Sequence, residues 1–462
     1  VARIAEGNSR QESQAQPATL AANRHTRTLY PGGDGEFTIF IFSSRHDGEP
    51  NPTGPRPEKR AAVSATENPH PTIHWTEAGA ARSARWRSES GNPPPARVVI
   101  ADDRTSADEA YRLACGGTAM LWRGDFQNAR HLLQALARRT ERKPEKPRKT
   151  ARASGSSPSP FASFAVCASP AEAFHQHRQA QSKRARTLAM LLMPLGDDYA
   201  IPLRRAPDMR QACTEAYGPA DGPDKGPSVV SLRELLGLIG AHEWRKKGID
   251  IPALGDRIHP HYGVFSPIRG EYVGLVAEAP LPSGALAFDI GTGTGVLAAV
   301  LARRGIARIV ATDQDPRALA CARENLARLG FAKQVEVVSA DLFPEGRAAL
   351  VVCNPPWVPA QPSSSIEGAV YDPESRMLRG FVAGLAAHLT PGGEGWLILS
   401  DFAEHLGLRS RAELLAGFEA AGLKILGRVD VRPNHPRASD TNDPLHAARA
   451  AEITSLWRLA VR

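Results

Sequence analysis

"LAFDIGTGTGVLAAVLARRG", residues 286 to 305, decides how the C-terminal half of the chain is read. Leu286 to Ile290 is an apolar run too short for a helix and suited to a buried strand. Three glycines follow at alternate positions, Gly291, Gly293 and Gly295, and an alanine- and leucine-rich helical pattern begins at once. Strand, glycine turn and helix in immediate succession open a doubly wound α/β sheet, where ligands bind outside the carboxyl ends of the strands. Without a Cβ, glycine lets backbone come close to a ligand.

The same alternation continues downstream. "ARIVATD" (307 to 313) precedes "PRALACARENLARLG"; "QVEVVSA" occupies 334 to 340; "AALVVC" (348 to 353) precedes "ESRMLRGFVAGLAAHL"; "GWLILSD" (395 to 401) precedes "RAELLAGFEAAG". "LKILGRVDV" and "EITSLWRLAV" close the chain with no helical pattern between them. These runs predict an α/β fold: a Rossmann-like seven-stranded sheet over residues 256–462, mostly parallel, with an antiparallel hairpin at one edge.

Upstream the signal is weaker. Residues 1–95 are rich in Pro, Gly, Ser and charge, with one apolar island, "FTIFIF" at 37 to 42. Such a stretch buries too little apolar surface to offset its ordering entropy and is expected to be a disordered extension. The opening Val1 suits an alternative start codon or an over-extended gene start. Residues 96–255 predict a smaller mixed α/β domain, accessory or substrate-recognising. In it "RVVIA" reads as a strand, and Ser106 with Glu109 has the spacing of a helix capping box. Phe126, Ala129, Leu132, Leu133 and Leu136 fall on one helical face. Helices are also predicted at 171 to 187, 207 to 216 and 232 to 245. The Lys/Arg/Pro/Ser run at 140–160 reads as a solvated linker, because no aromatic residue interleaves its charges as a base-stacking platform would.

The chain of 462 residues carries a formal net charge of +8, compatible with a polyanionic partner but uninformative about fold. Its five cysteines never form a CxxC pair, so neither a disulfide framework nor a zinc site is expected. His175 and His177 are two apart and do not share a helix face as metal ligands would. No apolar run approaches the roughly 18 residues that span a bilayer, and a cytoplasmic protein without membrane contact is expected.

The glycine turn discriminates between cofactors. A dinucleotide site calls for G-x-G-x-x-G, and here Val296 stands where the third glycine would fall. Asp289, two residues before Gly291, would face an amine comfortably and a pyrophosphate badly. A ligand cationic near the turn is therefore expected, and S-adenosylmethionine (SAM), with its ammonium and sulfonium, fits. Asp313 ends the next strand, where a carboxylate can accept both hydroxyls of a ribose. Asp341, after the third, could accept from an adenine amino group.

The fourth strand runs into "NPPW", Asn354, Pro355, Pro356 and Trp357. The lone pair of an amide or base amino nitrogen is delocalised, so such a nitrogen is a poor nucleophile. The Asn354 side-chain oxygen and the Pro355 carbonyl could each accept one N–H and favour the pyramidal, cationic nitrogen of the transition state. The prolines fix φ and pre-aim these acceptors. Trp357 would offer a flat wall for the planar acceptor group.

Taken together, "FDIGTGTG", "ATDQDP", "SADLF" and "VVCNPPW" resemble the small-domain group of class I SAM-dependent N-methyltransferases, which includes HemK/PrmC-type glutamine methyltransferases and guanine-N2 ribosomal RNA methyltransferases. The resemblance covers about residues 255 to 462. It implies that Asp289, Gly291 and Gly293 line the methionine side of SAM, Asp313 the ribose, Asp341 the adenine, and Asn354 to Trp357 the acceptor. "HYGVFSPIRGEYVGLV" (261 to 276) is similar to the segment that helps cover the cofactor, and "EGAVYDPESRMLRGFVAGL" to the substrate-side segment of HemK-type enzymes. HemK-type enzymes usually carry Tyr where Trp357 stands, and residues 97 to 250 do not reproduce their small helical domain. The long loop at 432 to 446 is placed on the substrate side.

Three functions remain open at this point. The first is methylation of a planar nitrogen, on a glutamine-bearing protein loop or on a base in RNA or DNA. The second is methylation of a small molecule, disfavoured because carbon and oxygen acceptors do not need paired carbonyls. The third is a non-catalytic SAM-fold module that binds RNA or a partner.

Overall fold

The computed structural model describes residues 71–141, 169–222, 225–362, 366–433 and 440–462. The "FTIFIF" island, the basic run after residue 141 and residues 434–439 lie outside them.

The upstream region is built on a six-stranded mixed sheet. Its elements are β1 (Thr72–Glu77), β2 (Ala80–Trp86), β3 (Arg97–Ala101), α1 (Ala107–Cys115), β4 (Thr118–Trp122), α2 (Phe126–Glu141), α3 (Pro170–Leu188), β5 (Leu191–Leu195), α4 (Arg210–Tyr217), β6 (Ser228–Ser231) and α5 (Leu232–Lys247). The strand order is β1-β2-β6-β5-β4-β3. Met120, Trp122, Leu191, Met193 and Val230 pack to one face, and Ala119, Leu121, Leu192 and Val229 to the other. Because both faces are buried, β4 and β5 carry consecutive apolar residues rather than alternating ones. Ser106 accepts from the Glu109 backbone N–H at 3.2 Å and caps α1. The face of α2 formed by Phe126, Ala129, Leu132, Leu133 and Leu136 is buried, as its spacing requires.

Residues 72–86 correct the expectation of disorder up to residue 95. β1 and β2 pair antiparallel from Thr72 opposite Arg85 to Glu77 opposite Ala80. The two residues between them, Ala78 and Gly79, have φ of 51° and 78°, the left-handed pair that a tight two-residue hairpin needs. Ile73 and Trp86 are buried against the sheet. Two short strands, the second carrying two arginines, hide this hairpin from a compositional reading, and β2 joins it to the sheet by pairing with β6.

A two-stranded ribbon, β7 (Ile249–Ile251) and β8 (Asp256–Ile258), leads to α6 (Glu271–Glu278) and the second sheet. There follow β9 (Leu286–Ile290), α7 (Val296–Arg303), β10 (Arg308–Asp313), α8 (Pro316–Arg328), β11 (Val335–Ser339), β12 (Ala348–Cys353), α9 (Arg376–His388), β13 (Leu389–Ser400), α10 (Phe402–His405), α11 (Arg411–Ala420), β14 (Leu423–Val431), α12 (His446–Ala451) and β15 (Thr454–Val461). The order is β11-β10-β9-β12-β13-β15-β14, with β15 antiparallel to both neighbours. The expected closing hairpin is present, with α12 inserted in its connection and β15 rather than β14 next to β13. Successive residues of the central strands pack to opposite faces: Ala287 and Ile309 under α6 and α7, Phe288 and Val310 under α9.

No helix among the described residues is long and apolar enough to cross a membrane.

Candidate active site

The chain leaves β9 toward β10 on one side and reaches β12 on the other, so the β9/β12 boundary is the switch point where open α/β sheets bind ligands. Register brings the candidate residues into one row. Ile290 is opposite Thr312 on β10 and Cys353 on β12. The next residues, Gly291, Asp313 and Asn354, therefore emerge side by side at strand ends spaced about 4.8 Å apart.

The glycine turn is shaped by left-handed backbone, with φ of 71° at Gly291, 56° at Gly293 and 82° at Gly295. Each glycine meets different surroundings. A Cβ on Gly295 would come within 3.2 Å of Ala322 Cα on α8, so this glycine permits helix packing. A Cβ on Gly291 would lie 2.5 Å from Met377 Cε. At Gly293 nothing lies within 4 Å, so its side of the turn is open. That open, Cβ-free cradle beside Asp313 is where a ligand can meet backbone directly.

Asp289 departs from its expected place. It is 1% exposed and sits beneath the turn, where its Oδ2 accepts from the Thr292 hydroxyl at 2.7 Å and the Ala298 backbone N–H at 3.1 Å. Burial pushes its pKa up to about 6, against the pull of these two hydrogen bonds. Asp289 therefore shapes the turn and contributes charge through it, without presenting an exposed carboxylate. The reason is its position inside the last buried residues of β9.

Asp313 is partly exposed; its oxygens accept from the Gly293 N–H and the Asp315 N–H, both at 3.0 Å. Burial raises its pKa. Asp341, by contrast, is exposed and ion-paired to Arg376 at 2.6 Å. Its neighbour Leu342 has φ of 75°, a strained conformation for a residue with a Cβ, and the Thr312 hydroxyl donates to the Leu342 carbonyl at 2.6 Å. A turn so over-determined fixes where Asp341 leaves the sheet.

At the end of β12, Pro355 is buried, and Asn354, Pro356 and Trp357 are partly exposed. The Trp357 indole N–H donates to Asn354 Oδ1 at 2.9 Å. Indole is only a donor, so this bond fixes which end of the carboxamide is oxygen and leaves its second lone pair for another donor. The Arg269 guanidinium lies 5.2 Å from the centre of the Trp357 ring, so one face of the expected flat wall is already stacked. Downstream, the Val358 N–H donates to the Val370 carbonyl at 3.2 Å and the Asp372 N–H to the Val358 carbonyl at 2.9 Å, tying Val358 to both residues. Asp372 then accepts from the Met377 and Leu378 N–H groups at the start of α9.

Three contributors had no sequence signal of their own as site residues. Arg376 and Met377 lay in a segment recognised only as a whole, and Arg269 in the segment before the turn. Asn325, buried on α8, donates to the carbonyls of Thr294 and His259 and accepts from the His259 N–H, joining glycine turn and preceding segment. Leu445, shortly ahead of α12, belongs to one buried cluster with Val358 and Tyr371.

Fold and site define a class. A seven-stranded sheet in this order, with an open glycine turn after its central first strand, a carboxylate after the second and NPPW after the fourth, is the arrangement that the resemblance to SAM-dependent methyltransferases implies. Residues 257–410, a third of the chain, match the methyltransferase small domain family. Among similar proteins, the release factor glutamine methyltransferase of Cereibacter sphaeroides is 36% identical over 197 residues, 39% of this chain and 65% of its own length. The ribosomal protein L11 methyltransferase of Pelotomaculum thermopropionicum is 37% identical over 147 residues, 31% of this chain and 40% of its own length. The chain thus spans less than two thirds of either relative. A solved structure of the ribosomal protein L11 methylase of Lactobacillus delbrueckii subsp. bulgaricus superposes with a TM-score of 0.31 at 17% identity, over 46% of this chain and 90% of that one.

Proposed function

We propose that the protein is a SAM-dependent N-methyltransferase that modifies a planar nitrogen, the side-chain amide of a glutamine in a protein substrate. The observation that carries this reading is the oriented Asn354 carboxamide, its oxygen turned by Trp357 and emerging beside Gly291. SAM would supply a methyl group on a sulfonium, and the residues present suit it: the open backbone at Gly293, Asp313 for the ribose, Asp341 for the adenine side, and the buried charge of Asp289 for the cationic end.

The remaining work belongs to the chain. Asn354 Oδ1 accepts one N–H of the acceptor amide and the Pro355 carbonyl the other, which turns the nitrogen lone pair out of conjugation. Pro355 and Pro356 hold φ near −65°, so these acceptors need no reorganisation at the moment of transfer. Positioning for displacement supplies most of the rate. Glutamine is preferred over a nucleobase because proteins named release factor glutamine methyltransferase are among the relatives.

The test combines purified protein, radiolabelled SAM, a recombinant release factor and a lysate from cells lacking the gene. Label in the release factor or in a protease-sensitive fraction is expected, and label removed only by nuclease would overturn the glutamine assignment. Asn354→Ala is expected to bind SAM and transfer nothing.

A further inference from the structure

Trp357 is not held in place by packing alone. Its ring is covered by Arg269, whose Nε donates to Glu271 Oε1 at 3.0 Å and whose Nη2 donates to Glu452 Oε1 at 3.0 Å. Glu452 lies ahead of β15, is 2% exposed, and also accepts from the Ser400 hydroxyl at 2.6 Å. The Ser400 oxygen in turn accepts from the Phe402 N–H at 3.0 Å. A second cation, Arg409, donates to the Trp357 carbonyl at 3.4 Å and to the Ser400 carbonyl at 3.2 Å. Ring and backbone of Trp357 are thus tied by two arginines to the end of β13.

We infer that Arg269, fixed between Glu271 and Glu452, is a positioning residue for the acceptor site, acting through Trp357 on the carboxamide of Asn354. The inference rests on reading Asn354 as the group that binds the acceptor amide. A guanidinium is planar and stacks on an aromatic face while its edge still bonds carboxylates, a combination a lysine ammonium lacks. The stack leaves the indole one orientation, the indole N–H ties one lone pair of Asn354 Oδ1, and the other is left aimed at the crevice. Three distant stretches of chain, before the glycine turn, after β12 and before β15, meet in this chain of contacts. A site held within a fraction of an ångström needs such support, because a misplacement of about 1 Å can cost about a hundredfold in rate.

Two readouts test it. In ¹⁵N-labelled protein the Trp357 indole resonance, assigned by its loss in Trp357→Phe, is expected to be slow to exchange. It should move toward the free-indole position in Asn354→Ala, Arg269→Met and Glu452→Gln. A resonance unmoved in Arg269→Met overturns the relay. Methyl transfer to recombinant release factor, or to the labelled lysate fraction, is the second readout. Arg269→Met and Trp357→Phe should each lower kcat about ten- to a hundredfold, with SAM Kd and acceptor KM within about twofold. Arg269→Lys should recover only part, and the double variant should be no slower than the worse single one. Losses that multiply, or wild-type rates in both single variants beside an inactive Asn354→Ala, overturn the positioning role. Full activity of Asn354→Ala would instead refute the reading of Asn354, and the resonance shifts would still decide whether the relay exists.

Discussion

Arg178 Nη2 lies 3.5 Å from Glu367 Oε2, with the arginine side chain 8% exposed and the glutamate 1%. This pair joins α3 of the upstream region to the loop that follows NPPW. Arg178 also donates to the Gln361 carbonyl at 2.8 Å and lies 4.2 Å from the centre of the Tyr371 ring. Removing Arg178 takes one cation from this buried carboxylate, which Arg233 also faces. Arg178→Met should therefore cost about 1 to 3 kcal/mol in chemical denaturation through the lost ion pair, hydrogen bond and ring contact. Equal stability of the single variant and the wild type would show that α3 does not anchor the loop.

The buried Asp289 predicts a pH dependence of definite sign. Its pKa is raised to about 6, so folding favours the neutral form relative to the unfolded chain while the group stays mostly ionised at neutral pH. Its contribution to stability is complete below the unfolded carboxylate pKa near 4 and is lost as pH rises through about 6, by up to about 3 kcal/mol. Asp289→Asn should flatten that part of a stability profile between pH 4 and 7. Binding of a cation favours the anionic form, so SAM affinity should rise over the same window in the wild type and stay low and flat in the variant. Titration calorimetry from pH 5 to 8 reads this directly.

The glycines of the turn should separate by function. Gly293 has φ of 56° and open space where a Cβ would go, so Gly293→Ala should cost only about 1 to 2 kcal/mol of backbone strain. That methyl group would stand in the cradle, and SAM affinity should fall at least about tenfold. Gly295→Ala places its Cβ 3.2 Å from Ala322 Cα and should lower thermal stability more than Gly293→Ala does. If Gly293→Ala binds SAM normally, the cradle lies elsewhere.

The hairpin at Ala78 gives a fourth prediction. Ala78 holds φ of 51°, a conformation that asparagine tolerates better than alanine. Ala78→Asn should stabilise the protein by up to about 1 kcal/mol in a denaturation curve. A neutral or destabilising result would mean that β1 and β2 contribute little to the upstream sheet.

What the sequence determined by itself was whatever depends on neighbours in the chain. The alternating strands and helices from 286 onward, the cap at Ser106 and the glycine turn all follow from local period and backbone freedom. NPPW could be assigned to a strand end for the same reason. β1, β2, β4 and β6 were not legible, because short strands between Gly, Pro and Arg take their stability from pairing partners far along the chain, as β2 does from β6. Tertiary structure alone decided the state of Asp289, whose burial depends on the helices that close over β9. It alone brought Arg269, Glu452 and Trp357 together, since no spacing relates residues 88 and 95 positions away from Trp357 on either side. Their meeting is set by the strand order, which inserts β15 beside β13 and carries Glu452 back to the end of the sheet where Asn354 stands.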